Sequence, residues 1–387
     1  MNIADTGDMF VIKFVLLTYR LLGMAPVTIS KTQSSKLKFS QSWTGAVYNL
    51  SLITGVLTEC SRQIPTMLGE SSNDETSFSQ MYRNVLIVSG NTFLVILLLR
   101  FCLCQRKLTE IGNELVEMDR YLDQLPGIYH LRAGRTYVFF VLTLHLTIII
   151  TYCALYLAVH PIKPAFFTMI VFPCTVMSFY TLQYSLVVFV IERRFTSLNE
   201  ALASVETKTV GVNDRSVVSI FVIKRAYARL YRICSEISNF YAPLTVLIVV
   251  NLSTSLLYEL YKIFFGLTRR SSVLPSPTIK FILGFLWISV RKLPIVLLTS
   301  TVRKCHMQMQ MTSDVVHKLQ DKLGACRDVK SELKNFITDL MHRSFQFTAY
   351  GMFRIDCSLL KSIVSTMTTY FVLFIQFQLA SDKGASE

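Results

Sequence analysis

The first candidates for chemistry in this 387-residue chain are four of the charged residues that lie inside apolar segments. Glu259 and Lys262 lie in one such segment, and Arg291 and Lys292 lie midway along another. A charge inside an apolar membrane span costs about 3 kcal/mol unless it is paired or hydrated, so these residues predict a polar pocket or a water path. The structural alternative is that Glu259 pairs with Lys262 along one helix, while Arg291 marks a helix break near a membrane surface.

Aromatic side chains crowd the halves of several apolar segments that are expected to face outward. Rings at the ends of membrane helices often serve only as interfacial anchors. A cavity lined by aromatic rings with a few polar groups would also suit a small organic ligand. On this second interpretation the candidate ligand-binding residues are Tyr152, Tyr156, Phe167, Tyr258, Glu259, Tyr261 and Trp287.

The last apolar segment carries a regular pattern of polar and aromatic residues. Thr369 and Tyr370 are followed, after five apolar residues, by Gln376 and Phe377. Helical geometry places Thr369, Leu373 and Gln376 on one stripe. If several copies surrounded an axis, that stripe would form a ring of amides beside apolar side chains, and such a constriction can gate by dewetting. Hydrogen bonding of Gln376 to a neighbouring helix is the alternative interpretation.

The sequence contains no pattern typical of an enzyme. The six histidines are dispersed, without a partner acid or thiol at catalytic or ligand spacing. The nine cysteines are scattered and odd in number, which argues against a disulfide framework or a zinc site. We therefore expect no catalytic activity, metal or cofactor.

The composition and the hydrophobic runs predict an all-α polytopic membrane protein. The chain is 52% hydrophobic and only 17% charged, whereas a soluble domain carries about 25% charged residues. A span needs about 20 mostly apolar residues. Seven segments qualify, at 41–60, 84–104, 136–159, 165–190, 241–265, 279–301 and 362–380. An apolar stretch from Met9 to Met24 is interrupted by Lys13 and Arg20, which favours an amphipathic interfacial helix over an eighth span.

The distribution of Lys and Arg predicts the orientation of the chain. One set of alternate connections holds 29 of them and the other set only six. Because positive residues stay inside, the N-terminus is expected in the cytoplasm and the C-terminus outside. The net charge of +14 is then explained by orientation and by contact with lipid headgroups, so no nucleic-acid partner is expected.

These boundaries divide the chain into five regions. The last long inner connection shows apolar residues at steps of three and four between Ser313 and Leu340, a seam that packs either within one subunit or between subunits. The regions are a cytoplasmic segment at 1–40 with an amphipathic helix, six spans at 41–301, cytoplasmic helices at 302–361, a seventh helix at 362–380 and an extracellular tail at 381–387.

Near its end the chain resembles the insect gustatory receptor family. Members of that family carry Thr-Tyr, five hydrophobic residues and Gln-Phe in the last helix, as do Thr369, Tyr370, Gln376 and Phe377 here. The stretch from Phe347 to Asp356 is also similar to the family. The motifs cover about the last 35 residues, while the seven spans and inverted topology agree with the rest.

The resemblance implies a ligand-gated, weakly selective cation channel that assembles as a homo- or heterotetramer. It implies that the helices at 302–361 form a cytoplasmic anchor and that the helix at 362–380 lines the pore, with a gate at Gln376 and Phe377 and with Leu373 and Thr369 facing the pore. It also implies a pocket for a small organic tastant or pheromone in the outer half of the spans at 41–301. The sugar-sensing branch carries Glu directly after Thr-Tyr, where this chain has Phe371. That difference favours the non-sugar branch, which senses bitter compounds or contact pheromones.

The expected location is the plasma membrane of a sensory neuron, in a dendrite or axon. Two other classes remain as alternatives. A receptor that signals through a G protein would have an external N-terminus, and the chain lacks both Asp-Arg-Tyr after the third span and Asn-Pro-x-x-Tyr in the seventh. A transporter often shows internal repeats, and none is visible in this sequence.

Overall fold

The computed structural model describes residues 3–31, 37–69, 77–123, 133–160, 164–208, 214–268, 277–322, 327–342 and 345–384. Nearly all of these residues are helical. The helices are α1 (Ile3–Leu21), α2 (Trp43–Gly69), α3 (Ser77–Leu103), α4 (Gln105–Asp123), α5 (Ala133–Val159), α6 (Pro164–Phe166), α7 (Phe172–Lys208), α8 (Asp214–Thr268), α9 (Pro277–Lys322), α10 (Arg327–His342) and α11 (Cys357–Gly384). A π-helical turn, Phe167–Val171, joins α6 to α7.

Each of the seven predicted spans coincides with a helix, which confirms the all-α polytopic class. In the described part of the chain, five helices are long and apolar enough to cross a membrane, and these helices are α3, α5, α6–α7, α8 and α9. Helix α11 also contains an apolar segment, which covers Cys357–Leu373 among the residues whose side chains are described. Helix α2 is less apolar, as expected from the Asn, Ser and Thr residues of the first predicted span.

Several connections between the spans are helical extensions of the spans rather than loops. Helix α8 begins at Asp214, well before its apolar segment, and α9 continues to Lys322. Helix α4 lies along α8, where Glu114 is 2.8 Å from Arg232 and Glu117 is 2.5 Å from Arg229. Part of the positive charge that predicts the orientation therefore also joins α4 to α8, although exposed pairs contribute only about 0–1 kcal/mol each.

The N-terminal helix packs against the bundle. In α1, Phe14 is 5.4 Å from Phe139 of α5, and the buried Tyr19 contacts Phe179 of α7 edge-on at 6.2 Å. The predicted helix in this segment is present, and it begins earlier than expected. Its Tyr19 end is anchored in protein, so it does not simply rest on the bilayer surface.

A β-hairpin that the sequence analysis missed follows α1. Strands β1 (Val27–Lys31) and β2 (Leu37–Gln41) pair antiparallel, with Ile29 opposite Phe39. The side-chain amide of Asn113 in α4 imitates a third strand, since it accepts from Phe39 N–H at 2.8 Å and donates to Phe39 O at 3.0 Å. Gly112 leaves room for the ring, because a Cβ there would come within 2.9 Å of Phe39.

The apolar seam of the last inner connection packs within the chain. Its described members are buried in the main core, and they are Val316 and Leu319 of α9 and Leu333, Ile337 and Leu340 of α10. Two other seam positions, Leu323 and Cys326, lie outside the described residues. A seam shared between subunits would therefore have to use other side chains.

Candidate functional site

A cavity of about 550 Å³ lies among α3, α5, the π-helical turn, α7, α8 and α9. This volume is in the range of small-molecule sites, roughly 300–1,000 Å³. Five of the seven predicted ligand-binding residues line it, namely Tyr152, Tyr156, Tyr258, Glu259 and Trp287. The other two have different positions: Phe167 packs edge-on against Tyr156 at 5.8 Å, and Tyr261 is buried in α8 outside the lining.

Helical periodicity builds the polar wall of the cavity. Asn251, Ser255, Glu259 and Lys262 follow one another at steps of four, four and three, so they form one stripe of α8. Asn251 and Ser255 are almost fully buried, whereas Lys262 is exposed. The cavity therefore has a buried end near Asn251 and an open end near Lys262.

The opposite wall is aromatic. Trp287 of α9 faces Tyr152 of α5 at 4.9 Å, with the rings tilted by 30°. Tyr156 stacks on Phe166 at 4.2 Å, with an interplanar angle of 5°. Such contacts hold broad flat surfaces in place with little conformational freedom. They form an apolar surface against which a small organic molecule can pack.

Glu259 and Lys262 of α8 each contact an aromatic residue instead of pairing with each other. The Trp287 indole N–H donates to Glu259 Oε1 at 3.0 Å. The Lys262 ammonium lies over the ring of Tyr258, at 5.2 Å from the centroid. These contacts place both charges on the cavity, as the pocket interpretation expected.

Arg291 lies inside a continuous helix, so the predicted helix break is wrong. Helix α9 runs unbroken from Pro277 to Lys322, and Arg291 is 6% exposed and lines the cavity. Its guanidinium stands over the Trp287 ring at 5.6 Å and donates to Asn251 Oδ1 at 3.3 Å. The adjacent Lys292 donates to the backbone carbonyl of Leu252 in α8.

In the wall formed by the π-helical turn, a proline lacks a backbone donor and a side-chain amide from another helix replaces it. Pro173 has no N–H to donate to the carbonyl of Met169, four residues earlier. The buried Asn91 of α3 supplies the missing donor, and its amide reaches Met169 O at 2.9 Å and Ile87 O at 2.8 Å. The wide turn, Phe167–Val171, directly precedes this proline. In an apolar environment such a freed carbonyl must find a donor, and α3 provides it.

A second proline is compensated in the same way beneath Trp287. Pro294 leaves the carbonyl of Val290 without its helical donor. The Ser178 hydroxyl of α7 donates to Val290 O at 2.7 Å and lies 2.7 Å from His145 Nε2. Because the single hydroxyl proton points to Val290, His145 must donate from Nε2. This buried chain joins α5, α7 and α9.

The last helix has one packed face and one exposed face. Met367 is buried, and Phe371 contacts Phe264 of α8 edge-on at 5.9 Å. On the other side Thr369, Tyr370, Leu373 and Gln376 are exposed. Phe377 belongs to α11, and its side chain lies outside the described residues.

A second short hairpin leads directly into this helix. Strands β3 (Thr348–Ala349) and β4 (Phe353–Arg354) enclose a tight turn in which both Tyr350 and Gly351 have positive φ, 56° and 74°. Two positive φ angles in succession are typical of a type I′ turn, where glycine is favoured. Phe347 and Ile355 are buried beside it. The hairpin therefore fixes where α11 begins.

Asp356 caps the first turn of α11. Its Oδ1 accepts from the Ser358 backbone N–H at 2.8 Å and from the Ser358 hydroxyl. The hydroxyl of Ser358 and, after it, the backbone N–H groups hold the pKa of the Asp356 carboxyl below its usual value. The family-like stretch from Phe347 to Asp356 thus consists of an anchor, a turn and a helix cap.

Sequence reasoning missed the polar groups at the buried end of the cavity. Asn251 and Ser255 precede Glu259 at helical spacing, so extending the stripe from the charged residue would have found them. Asn91, His145 and Ser178 gave no comparable signal. Their partners on other helices include two backbone carbonyls, those of Met169 and Val290, and which helices become neighbours could not be read from the sequence.

Comparison with known proteins agrees with this arrangement. A family model described as 7tm Chemosensory receptor matches residues 12–381. Gustatory receptor 68a of Drosophila melanogaster is 27% identical over 105 residues, which are 27% of this chain and 26% of the relative. Gustatory and pheromone receptor 32a of the same species is 29% identical over 129 residues, 33% of this chain and 26% of the relative. The alignments span only about a quarter of these relatives.

Solved structures share the fold over nearly the whole chain. The insect olfactory receptor OR5 from Machilis hrabei superposes with a TM-score of 0.63 at 16% identity, covering 95% of this chain and 97% of the other. The same receptor in complex with eugenol gives a TM-score of 0.65 at 16% identity, covering 95% and 98%. The family match over residues 12–381 is decisive: this chain belongs to the 7tm chemosensory receptor family, whose members are receptors and not enzymes.

Proposed function

We propose that this chain is a subunit of a ligand-gated, weakly selective cation channel, assembled as a homo- or heterotetramer in the plasma membrane of a sensory neuron. Its ligand is a bitter compound or a contact pheromone that enters the cavity beside Trp287. Ligand binding favours an arrangement of α8, α9 and α11 in which the constriction at Gln376 and Phe377 is wide. Only a difference in affinity between the open and closed arrangements can drive this change.

The exposure pattern of α11 carries the proposal. Its packed face, with Met367 and Phe371, holds the helix on α8 and α9. The stripe of Thr369, Leu373 and Gln376 lies on the opposite face and is exposed in the single chain. An exposed amide facing lipid would be costly, so this face requires water or another subunit beside it. A water-filled axis shared by several copies meets that requirement.

Three further observations support the proposal. The relative OR5 is a receptor of the same fold in complex with eugenol, a small organic molecule. The relative 32a is named as a gustatory and pheromone receptor. Phe371 occupies the position where the sugar-sensing branch carries Glu, and it packs against Phe264. A non-sugar ligand follows from that replacement.

The test is whole-cell recording from cells that express the full chain, screened with bitter compounds and cuticular lipids. We expect ligand-evoked or constitutive cation current that changes in Gln376→Ala and in Thr369→Ala. Thr368→Ala is the matched control, because Thr368 and Thr369 are both exposed and both donate to their own helix, at 2.9 Å and 3.2 Å. Thr368 points roughly 100° away from its neighbour. Equal currents in all three variants would refute a pore along this stripe.

Epitope tags test the orientation independently. Staining of unpermeabilised cells is expected at a C-terminal tag and not at an N-terminal tag, because the basic residues crowd the inner connections. Permeabilised cells provide the control for tag integrity. An N-terminal tag exposed on intact cells would refute this topology and would favour a receptor that acts through a G protein.

A further inference from the structure

The buried end of the cavity carries a cation with too few acceptors. Arg291 is 6% exposed, and a guanidinium has five N–H donors. Asn251 Oδ1, a neutral oxygen at 3.3 Å, accepts from Nη2, while Nε has no acceptor among the described residues. A buried charge without a counter-ion is costly. The site is therefore electrostatically incomplete as it stands.

The carboxylate of the cavity does not complete it. Glu259 already accepts from the Trp287 indole, the Arg291 guanidinium lies over the same ring, and the two charged residues form no ion pair with each other among the described residues. The described lining holds three basic side chains, Arg83, Lys262 and Arg291, against the single carboxylate. The balance of charge around the cavity is positive, which favours a negative ligand.

We propose that the ligand is an organic acid with an aromatic or aliphatic body. Its carboxylate accepts two N–H bonds from Arg291, the planar pairing for which a guanidinium is suited. The body then packs on the surface formed by Trp287, Tyr152 and Tyr156. This inference rests on the proposed function, since it names the ligand class of the same cavity.

The chain provides its own reporter for the test. It contains two tryptophans, Trp43, which is 87% exposed on α2, and Trp287 in the cavity. A Trp43→Phe variant of the full chain, reconstituted in lipid nanodiscs, therefore reports the cavity through Trp287 fluorescence. The probes are 4-phenylbutanoate, 4-phenylbutanamide and 4-phenylbutylamine at neutral pH, which differ only in the terminal group. We expect the acid to change the emission at a concentration at least about tenfold lower than the amide or the amine.

Two substitutions test whether Arg291 is the group that binds the carboxylate of the ligand. Arg291→Gln should remove the preference for the acid. Asn251→Asp is nearly isosteric and places a carboxylate next to the guanidinium, so it should also remove the preference while Arg291 and the fold are kept. Arg62→Gln, at an exposed arginine of α2, is the matched control and should leave all three affinities unchanged. Size-exclusion profiles confirm that each variant is folded.

Each of the other outcomes refutes a defined part of the proposal. Tightest binding of the amine, or an acid preference that survives both substitutions, refutes the organic acid. Equal binding of the three probes also refutes it but keeps the cavity as a ligand site. If no probe affects Trp287 while ligand-evoked current still depends on Gln376, the channel stands and both the cavity assignment and the acid are wrong.

Discussion

Replacing Ser178 by Ala should destabilise the protein through two buried groups at once. The hydroxyl donates to Val290 O and accepts from His145 Nε2, each at 2.7 Å, and Ser178 is 1% exposed. A buried group left unpaired costs about 1–3 kcal/mol in soluble proteins. Interhelical hydrogen bonds in membranes average about 0.6 kcal/mol. With two groups affected, we expect a loss of roughly 1–4 kcal/mol.

The proline predicts a specific coupling. Pro294→Ala restores an N–H to the carbonyl of Val290, so that carbonyl no longer needs Ser178. The Ser178→Ala change should then cost about 1 kcal/mol less in the Pro294→Ala background than in the natural chain. The assay is reversible unfolding of purified protein in mixed micelles by titration with dodecyl sulfate, followed by circular dichroism.

Thr181→Val is the control for loss of a buried hydroxyl. Thr181 is also buried in α7, but its hydroxyl donates to Met177 of the same helix at 3.1 Å. Its removal should cost about 0.5 kcal/mol or less. The reasoning is refuted if Ser178→Ala costs no more than this control, or if the effects of Ser178→Ala and Pro294→Ala simply add.

Three further substitutions test other parts of the structure by the same titration. Asn91→Leu should cost about 1–2 kcal/mol, because it leaves a proline-freed carbonyl of the cavity wall without a donor; no loss would mean that another donor is available. Gly351→Ala should cost about 1 kcal/mol because φ is 74° there, whereas Gly55→Ala, in a helix with open space around it, should be neutral or stabilising. Asp356→Ala should cost about 1 kcal/mol by removing the cap of α11. Since the pKa of Asp356 is lowered in the folded state, its stabilisation is present above the ordinary pKa of Asp and is lost as the pH falls through the lowered value, a dependence that Asp356→Asn should abolish.

The helices could be predicted because apolar run length determines them, but their ends could not. Helices α8 and α9 extend far beyond the apolar segments, since the portions outside those segments are amphipathic and bury one side against α7, α4 or α10. Both hairpins were missed. The strands β1 and β2 alternate weakly and contain Ser and Lys, and the pairing of Phe39 with Asn113 joins distant parts of the chain.

The residues of the candidate site could be predicted where a charged or aromatic side chain stood out in an apolar segment. Glu259 and Trp287 were expected at the cavity, and the structure brings them within one hydrogen bond. The role of Arg291 stayed open because the sequence allowed both a helix break and a pocket. A proline in an apolar segment does predict a freed carbonyl four residues earlier. The donor, such as Asn91, depends on which helices become neighbours.

The two proline compensations also bear on how the chain is assembled in the membrane. In both pairs the donor precedes the acceptor in the sequence: Asn91 comes before Met169, and Ser178 comes before Val290. During synthesis from the N-terminus, each helix with a freed carbonyl therefore follows the helix that carries its hydrogen-bond donor. The carbonyl need never remain exposed to lipid while the rest of the chain is made. The order of the helices thus lets each proline be introduced after its partner is already in place.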